Sequence, residues 1–161
     1  MGYGCILPNY KEIRMILREL FDRALPYEWT TQIPGERYVA RFMVGQLEYR
    51  FSAHLFDYDD NLHGAEIAFC LMDGKKCRTD NTGTGNVNEI YGTVINLIRE
   101  IAGKLKLSRV VYEAGDVQRQ RIYPTLIKKA LPSWQISEEW GEYYSYDKPM
   151  RKQPFSENKK D

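Results

Sequence analysis

A glycine-rich turn that opens directly into a long apolar stripe constrains this chain more than any other stretch. The turn is Thr82-Gly83-Thr84-Gly85-Asn86. The run behind it, Val87 to Leu105, places Val87, Ile90, Tyr91, Val94, Ile98, Ile101 and Leu105 at helical spacing, and Ile95, Leu97 and Ala102 widen the stripe. So broad a face suits a helix laid on a sheet. The turn leaves the first backbone N–H groups of that helix free, at the positive end of its dipole. Such a turn either cradles a phosphate through the main chain or is only a tight connection in which glycine supplies positive φ.

The segments around it supply the sheet. Asn9 caps a first predicted helix, with Glu12 in capping-box position and a stripe of Ile13, Ile16, Leu17, Leu20, Phe21 and Ala24 that Pro26 ends. Tyr27 to Glu36, with prolines and a glycine in or beside it, reads as a loop. Arg37 to Val44 and Leu47 to Phe56 read as strands joined through Gly45-Gln46. Asp57 to Asn61 is a turn, Ala65 to Met72 an alternating strand, and Asp73-Gly74 the bend before a short return strand, Lys75 to Thr79. Beyond the central helix come a strand, Arg109 to Ala114, and a helix capped by Asp116. Pro124 kinks that helix or marks its first turn. Ser133 to Glu139 and Glu142 to Tyr146 form a closing hairpin around Gly141. The expected fold class is α+β, a mixed but mainly antiparallel sheet with flanking helices. It forms a single domain over residues 1–148, followed by a polar, disordered tail over 149–161.

Charge and cysteine usage exclude several function classes. With 23 basic and 22 acidic side chains the net charge is +1, so no global field draws the chain to nucleic acid or a membrane. Cys5, Cys70 and Cys77 show no C-x-x-C spacing, which indicates neither a disulfide framework nor a zinc knuckle. His54 and His63 are too few for a histidine-built metal site, so no metal is expected. No signal segment opens the chain and no apolar run reaches membrane length, so a reducing, cytoplasmic setting is expected.

The element order, with two short motifs, resembles the GNAT superfamily of acyl-CoA-dependent N-acyltransferases over roughly residues 9–147. In that family a Gln or Arg, two residues, Gly, one residue and then Gly or Ala precede the helix. Here the register is Asp80-x-x-Gly83-x-Gly85, with Asp80 at the Gln or Arg position. The family also places an Asn seven residues before the tyrosine of a Leu-Tyr pair. Asp116 and Tyr123, the latter preceded by Ile122, keep that spacing. The compact form looks like short GNAT-like proteins found in bacteriophage genomes. The resemblance implies that Thr82, Gly83, Thr84, Gly85 and Asn86 bind the pyrophosphate of acetyl-CoA or another acyl-CoA. It also implies that Tyr123 protonates the departing thiolate. Asp80 would repel a pyrophosphate unless it turns away.

The remaining candidates come from the residues themselves. Glu66, on the strand face opposite Ile67 and Phe69, is either a general base acting directly or through water, or an exposed sheet carboxylate. A return strand over Lys75 to Thr79 would displace it from the strand beside the glycine turn. His54 reads as a structural histidine. Arg119, Arg121, Lys128 and Lys129, and separately Lys104, Lys106 and Arg109, read as solvated surface or phosphate contacts. Trp134, Trp140, Tyr143, Tyr144 and Tyr146 make the last hairpin aromatic enough to offer a partner surface. Two functions follow. The first is an acyl-CoA-dependent N-acyltransferase acting on an amine-bearing small molecule or protein. The second is a catalytically inactive GNAT-like module, phage-encoded, that binds a host protein or nucleic acid at the aromatic hairpin.

Overall fold

The structure is a computed structural model, and it describes residues 23–59, 61–78 and 87–149. The expected N-terminal helix from Asn9, the glycine turn Thr82 to Asn86 with Asp80, and the tail from Met150 all lie outside the described residues.

Eight strands and two helices are described: β1 (Tyr27–Ile33), β2 (Arg37–Val44), β3 (Leu47–Tyr58), β4 (Leu62–Asp73), β5 (Lys76–Arg78), α1 (Val87–Lys104), β6 (Arg109–Glu113), α2 (Val117–Ala130), β7 (Gln135–Trp140) and β8 (Tyr143–Asp147). They form one sheet of order β1-β2-β3-β4-β6-β8-β7, with β5 added to β4. Every pairing is antiparallel except that of β4 with β6. The class is therefore α+β with a mixed, mostly antiparallel open sheet.

Local chemistry accounts for most of these boundaries. Gly45 and Gly74 take φ of 61° and 63° at the first positions of the β2–β3 and β4–β5 turns, a conformation that glycine adopts without a Cβ penalty. Gly141, with φ 62°, does the same between β7 and β8. The loop expected over Tyr27 to Glu36 is corrected: Tyr27 to Ile33 is strand β1, paired with β2. The prolines flank that segment instead of interrupting it. Tyr27 and Trp29 then alternate onto the core side, where edge-on contact with each other and with Tyr38 fixes them.

One face of the sheet carries the core. Tyr38, Ala40 and Phe42 of β2, Phe51 and Ala53 of β3, Ala65 and Ile67 of β4, and Val110 and Tyr112 of β6 are buried. Of the β6 residues, Tyr112 packs with α2, and α1 lays Ile90, Val94, Ile98 and Ile101 in the same cluster. Full burial of such a side chain contributes about 1.5–3 kcal/mol. Val87, expected on the stripe, instead stands 40% exposed at the first turn of α1. The buried Thr93 within that helix is satisfied: its hydroxyl donates to Glu89 O at 2.6 Å and accepts from Leu25 N–H at 2.8 Å. No described element covers the opposite face of the sheet.

Candidate functional site

The parallel pair is short, and it parts. β4 and β6 register at Gly64 with Arg109, Ala65 with Val110 and Glu66 with Val111, and go no further. Five residues on, β5 takes up the vacated edge of β4, pairing Leu71 with Arg78 while Leu71 still pairs with Tyr49 of β3. Between these two pairings Ile67 to Cys70 keep β3 on one edge and, among the described residues, have no strand on the other. Buried backbone donors require partners. The Phe69 N–H finds one in the Tyr123 hydroxyl, which accepts it at 3.3 Å. Crevices where parallel neighbours separate, beyond the carboxyl ends of the strands, are the usual ligand sites of open sheets.

Tyr123 reaches this fork from α2. The helix starts as expected: Asp116, with φ −122° and ψ 161°, accepts the Arg119 N–H at 2.8 Å. Pro124 is accommodated inside it. The Tyr123 ring is 4% exposed and stacks on Tyr112 at 4.8 Å and 8°, with Phe69 at 5.5 Å. Burial pushes its phenol up to about 12, although the Phe69 N–H and the Arg119 charge both pull it down.

Glu66 stands at the apex of the same fork, on the other face. Because side chains alternate along β6, Val111 and Tyr112 point to opposite faces. Val111 lines a cleft of about 380 Å³ together with Phe56, Glu66, Arg109, Glu138, Trp140 and Tyr143. Tyr112 instead meets Tyr123. The fork therefore gathers Glu66 and Tyr123 at one strand separation while holding them on opposite faces. The expected return strand does form, as β5 at the far end of β4, while Glu66 lies beside β6.

The cleft has aromatic walls and an acidic rim. Trp140 and Tyr143 stack at 6.1 Å and 13°. The Phe56 ring folds over Gly64, so closely that a Cβ there would lie 2.5 Å from the ring. Coulombic repulsion, first from Glu113 and then from Glu66, raises the Tyr143 phenol, with burial and Glu142 adding to it. Arg109 is already engaged. Its Nε and Nη2 donate to Asp147 at 2.7 and 2.9 Å, and its guanidinium lies 4.2 Å from the Tyr58 ring centre. Burial pulls the Asp147 carboxyl up, but the Arg109 pairing and the serine hydroxyls outweigh it and hold it below the usual carboxylate range.

The other candidates fall elsewhere. His54 is exposed and sits across the β3–β4 ladder from Glu66. Lys104 donates to Gln32 at 3.0 Å and lies near the Trp29 and Tyr38 rings, which separates it from Arg109. Arg121 and Lys128 are on solvated helix surface. Among the described residues no cluster of His, Cys, Asp or Glu could hold a metal. No described helix is long and apolar enough to cross a membrane.

Sequence reasoning missed two features. The first is the disulfide between Cys70 and Cys77, which corrects the expectation that the cysteines form no bridge. The β4–β5 turn folds the two strands together and brings their Cα atoms to 5.5 Å, within bridging range. The spacing looked uninformative because a hairpin, and not a Cys-x-x-Cys motif, sets the distance. The second is Phe56, which joins the expected Trp140 and Tyr143 as a wall of the cleft and pairs across the ladder with Gly64. The glycine turn proposed to hold the cofactor lies outside the described residues. Compared with protein-family models and with curated proteins, the chain matches none.

Proposed function

We propose that the chain is an acyl-CoA-dependent N-acyltransferase of GNAT type whose reaction site is the fork between β4 and β6. One observation carries this reading: the strand separation at Ile67 to Cys70 has a tyrosine hydroxyl bonded to a backbone N–H on its helix side and, at its apex on the open face, a carboxylate. Acetyl-CoA or another acyl-CoA would supply the activated acyl carbon. The chain between Arg78 and Val87, with Thr82, Gly83, Thr84, Gly85 and Asn86, would hold its pyrophosphate through backbone N–H groups. Glu66 takes a proton from the amine, directly or through water, as the nitrogen bonds to the acyl carbon and the carbon–sulfur bond breaks. Tyr123 offers its O–H to the departing sulfur. Its phenol, pushed up to about 12, is a weaker acid than an ordinary thiol near 8.5. Complete proton transfer from Tyr123 would therefore be uphill by roughly 5 kcal/mol. Tyr123 accordingly stabilises the thiolate by hydrogen bonding, and the proton comes from solvent. The reading keeps the expected cytoplasmic setting, in which the Cys70–Cys77 bond is a reducible staple.

Thermal unfolding with and without acetyl-CoA tests it. Ligand at a hundred times its dissociation constant adds about 2.7 kcal/mol. Absence of any shift, in both the native chain and an Asp80→Gln form freed of the like charge, overturns acyl transfer.

A second reading has its own support. The Tyr123 hydroxyl is tied to backbone inside an aromatic stack, while Ile136 and Trp140 on the last hairpin are 49% and 45% exposed. A phage-encoded, catalytically inactive GNAT-like module would use that hairpin to hold a host protein or nucleic acid. It is the reading to adopt if acetyl-CoA fails to bind.

A further inference from the structure

The open-face cleft has a composition that acyl transfer does not by itself require. Its walls are the rings of Phe56, Trp140 and Tyr143, its floor is Val111, and Glu66 and Glu138 stand on its rim. Glu113 and Glu142 extend the negative field to the Tyr143 end. Arg109 is the only cation among the described lining residues, and a bidentate bond to Asp147 holds it. His54 is exposed across the ladder from Glu66, and Arg37 of β2 lies beyond it, paired with His54. Aromatic faces attract cations through their quadrupoles, and carboxylates add charge-assisted hydrogen bonds. An anion placed here would meet four carboxylates. A neutral apolar ligand would leave Glu66 without a partner.

We propose that this cleft binds a primary alkylammonium group, with the charged nitrogen between Glu66 and the Trp140–Tyr143 rings and the aliphatic chain along Phe56 and Val111. The inference rests on the acceptor side of the reading above, because it names the class of amine that would be acylated. The same chemistry is offered by a free aliphatic diamine or by a lysine side chain of a protein. The volume of about 380 Å³ accommodates either of them.

Titration calorimetry at low salt, without acyl-CoA, tests the proposal on the full chain. Putrescine and a blocked Gly-Lys-Gly peptide are the probes, and n-butanol is the uncharged control. Saturable binding of putrescine or the peptide, with none of butanol, is expected. Whichever charged probe binds more tightly identifies the source of the amine. Glu66→Gln and Trp140→Leu, both at partly exposed positions, should each weaken binding about tenfold. Unfolding curves matching the native chain show that these variants fold. The proposal is overturned by equal binding of butanol, by no binding of either charged probe, or by unchanged affinity in Glu66→Gln. A parallel acetyl-CoA titration separates the two ideas. Amine binding without acetyl-CoA binding keeps the cleft and removes acyl transfer, and the reverse result removes the cleft alone.

Discussion

The two faces of the sheet at β6 use the same residue types to opposite ends. On the helix side Tyr112 is 1% exposed, between Tyr123 at 4.8 Å and Tyr144 at 5.4 Å, with both ring pairs nearly parallel. On the open side Trp140 and Tyr143 stack just as flatly, at 13°, yet Trp140 is 45% exposed. The causes of the phenol shifts differ accordingly. Burial comes first in raising Tyr112 and Tyr123, whereas repulsion from Glu113 comes first for Tyr143. An aromatic stack therefore says little until its surroundings are known. In a dry layer it is core, and under a ring of carboxylates it is a surface for a cation.

The largest expected effect would break this comparison if it failed. Tyr112→Ala removes a fully buried ring and should cost about 3–5 kcal/mol in urea unfolding. Tyr143→Ala on the open face should cost less than about 1 kcal/mol while weakening ammonium binding. Equal losses of stability would mean that the open face is also structural.

A smaller effect sharpens the same contrast through pH. A tyrosine whose folded-state value is raised stabilises the fold fully below its unfolded value, about 10, and loses that contribution as pH rises through the folded value. Tyr123, pushed up to about 12, should therefore give up roughly 2–3 kcal/mol between about pH 10 and pH 12. Tyr27, raised to about 12 by burial and by Glu100, acts in the same direction. Tyr123→Phe should flatten the alkaline limb of stability against pH. At neutral pH it should cost about 1–3 kcal/mol, because the Phe69 N–H loses its partner. An alkaline limb identical to that of the native chain would show that the Tyr123 phenol does not titrate differently on folding.

What could be read from the sequence followed from how local each signal was. The β2–β3, β4–β5 and β7–β8 turns were legible because glycines at Gly45, Gly74 and Gly141 fix the chain direction within two residues. Asp116 was legible as a cap for the same reason. β1 was not, because the flanking prolines dominate a segment whose alternation shows only once Trp29 meets Tyr38. The fork was out of reach entirely. It depends on where β4 stops pairing with β6, a register between strands more than forty residues apart. Tyr123 and Glu66 could be named as residue types in a pattern, but which face each would take depends on the alternation of Val111 and Tyr112. Cys70 and Cys77 show the limit again, since only the folded-back β5 makes them neighbours.

The smallest expected effect concerns Glu66, and it bears most directly on the open face. The Glu66 carboxylate makes no hydrogen bond or ion pair with the described side chains, and it shares the Tyr143 end of the cleft with Glu113 and Glu142. Nothing in the fold is held by its charge. Glu66→Gln keeps the shape, relieves repulsion, and should change stability by less than about 0.5 kcal/mol in either direction. In an assay where the native chain transfers an acyl group, the same substitution should lower kcat with little change in acyl-CoA affinity. A loss of about 2 kcal/mol or more on Glu66→Gln would mean that the carboxylate has a structural partner. The open face would then resemble the helix side after all. A carboxylate kept unpaired beside others has no structural return, so a neutral result leaves recognition or chemistry as its use.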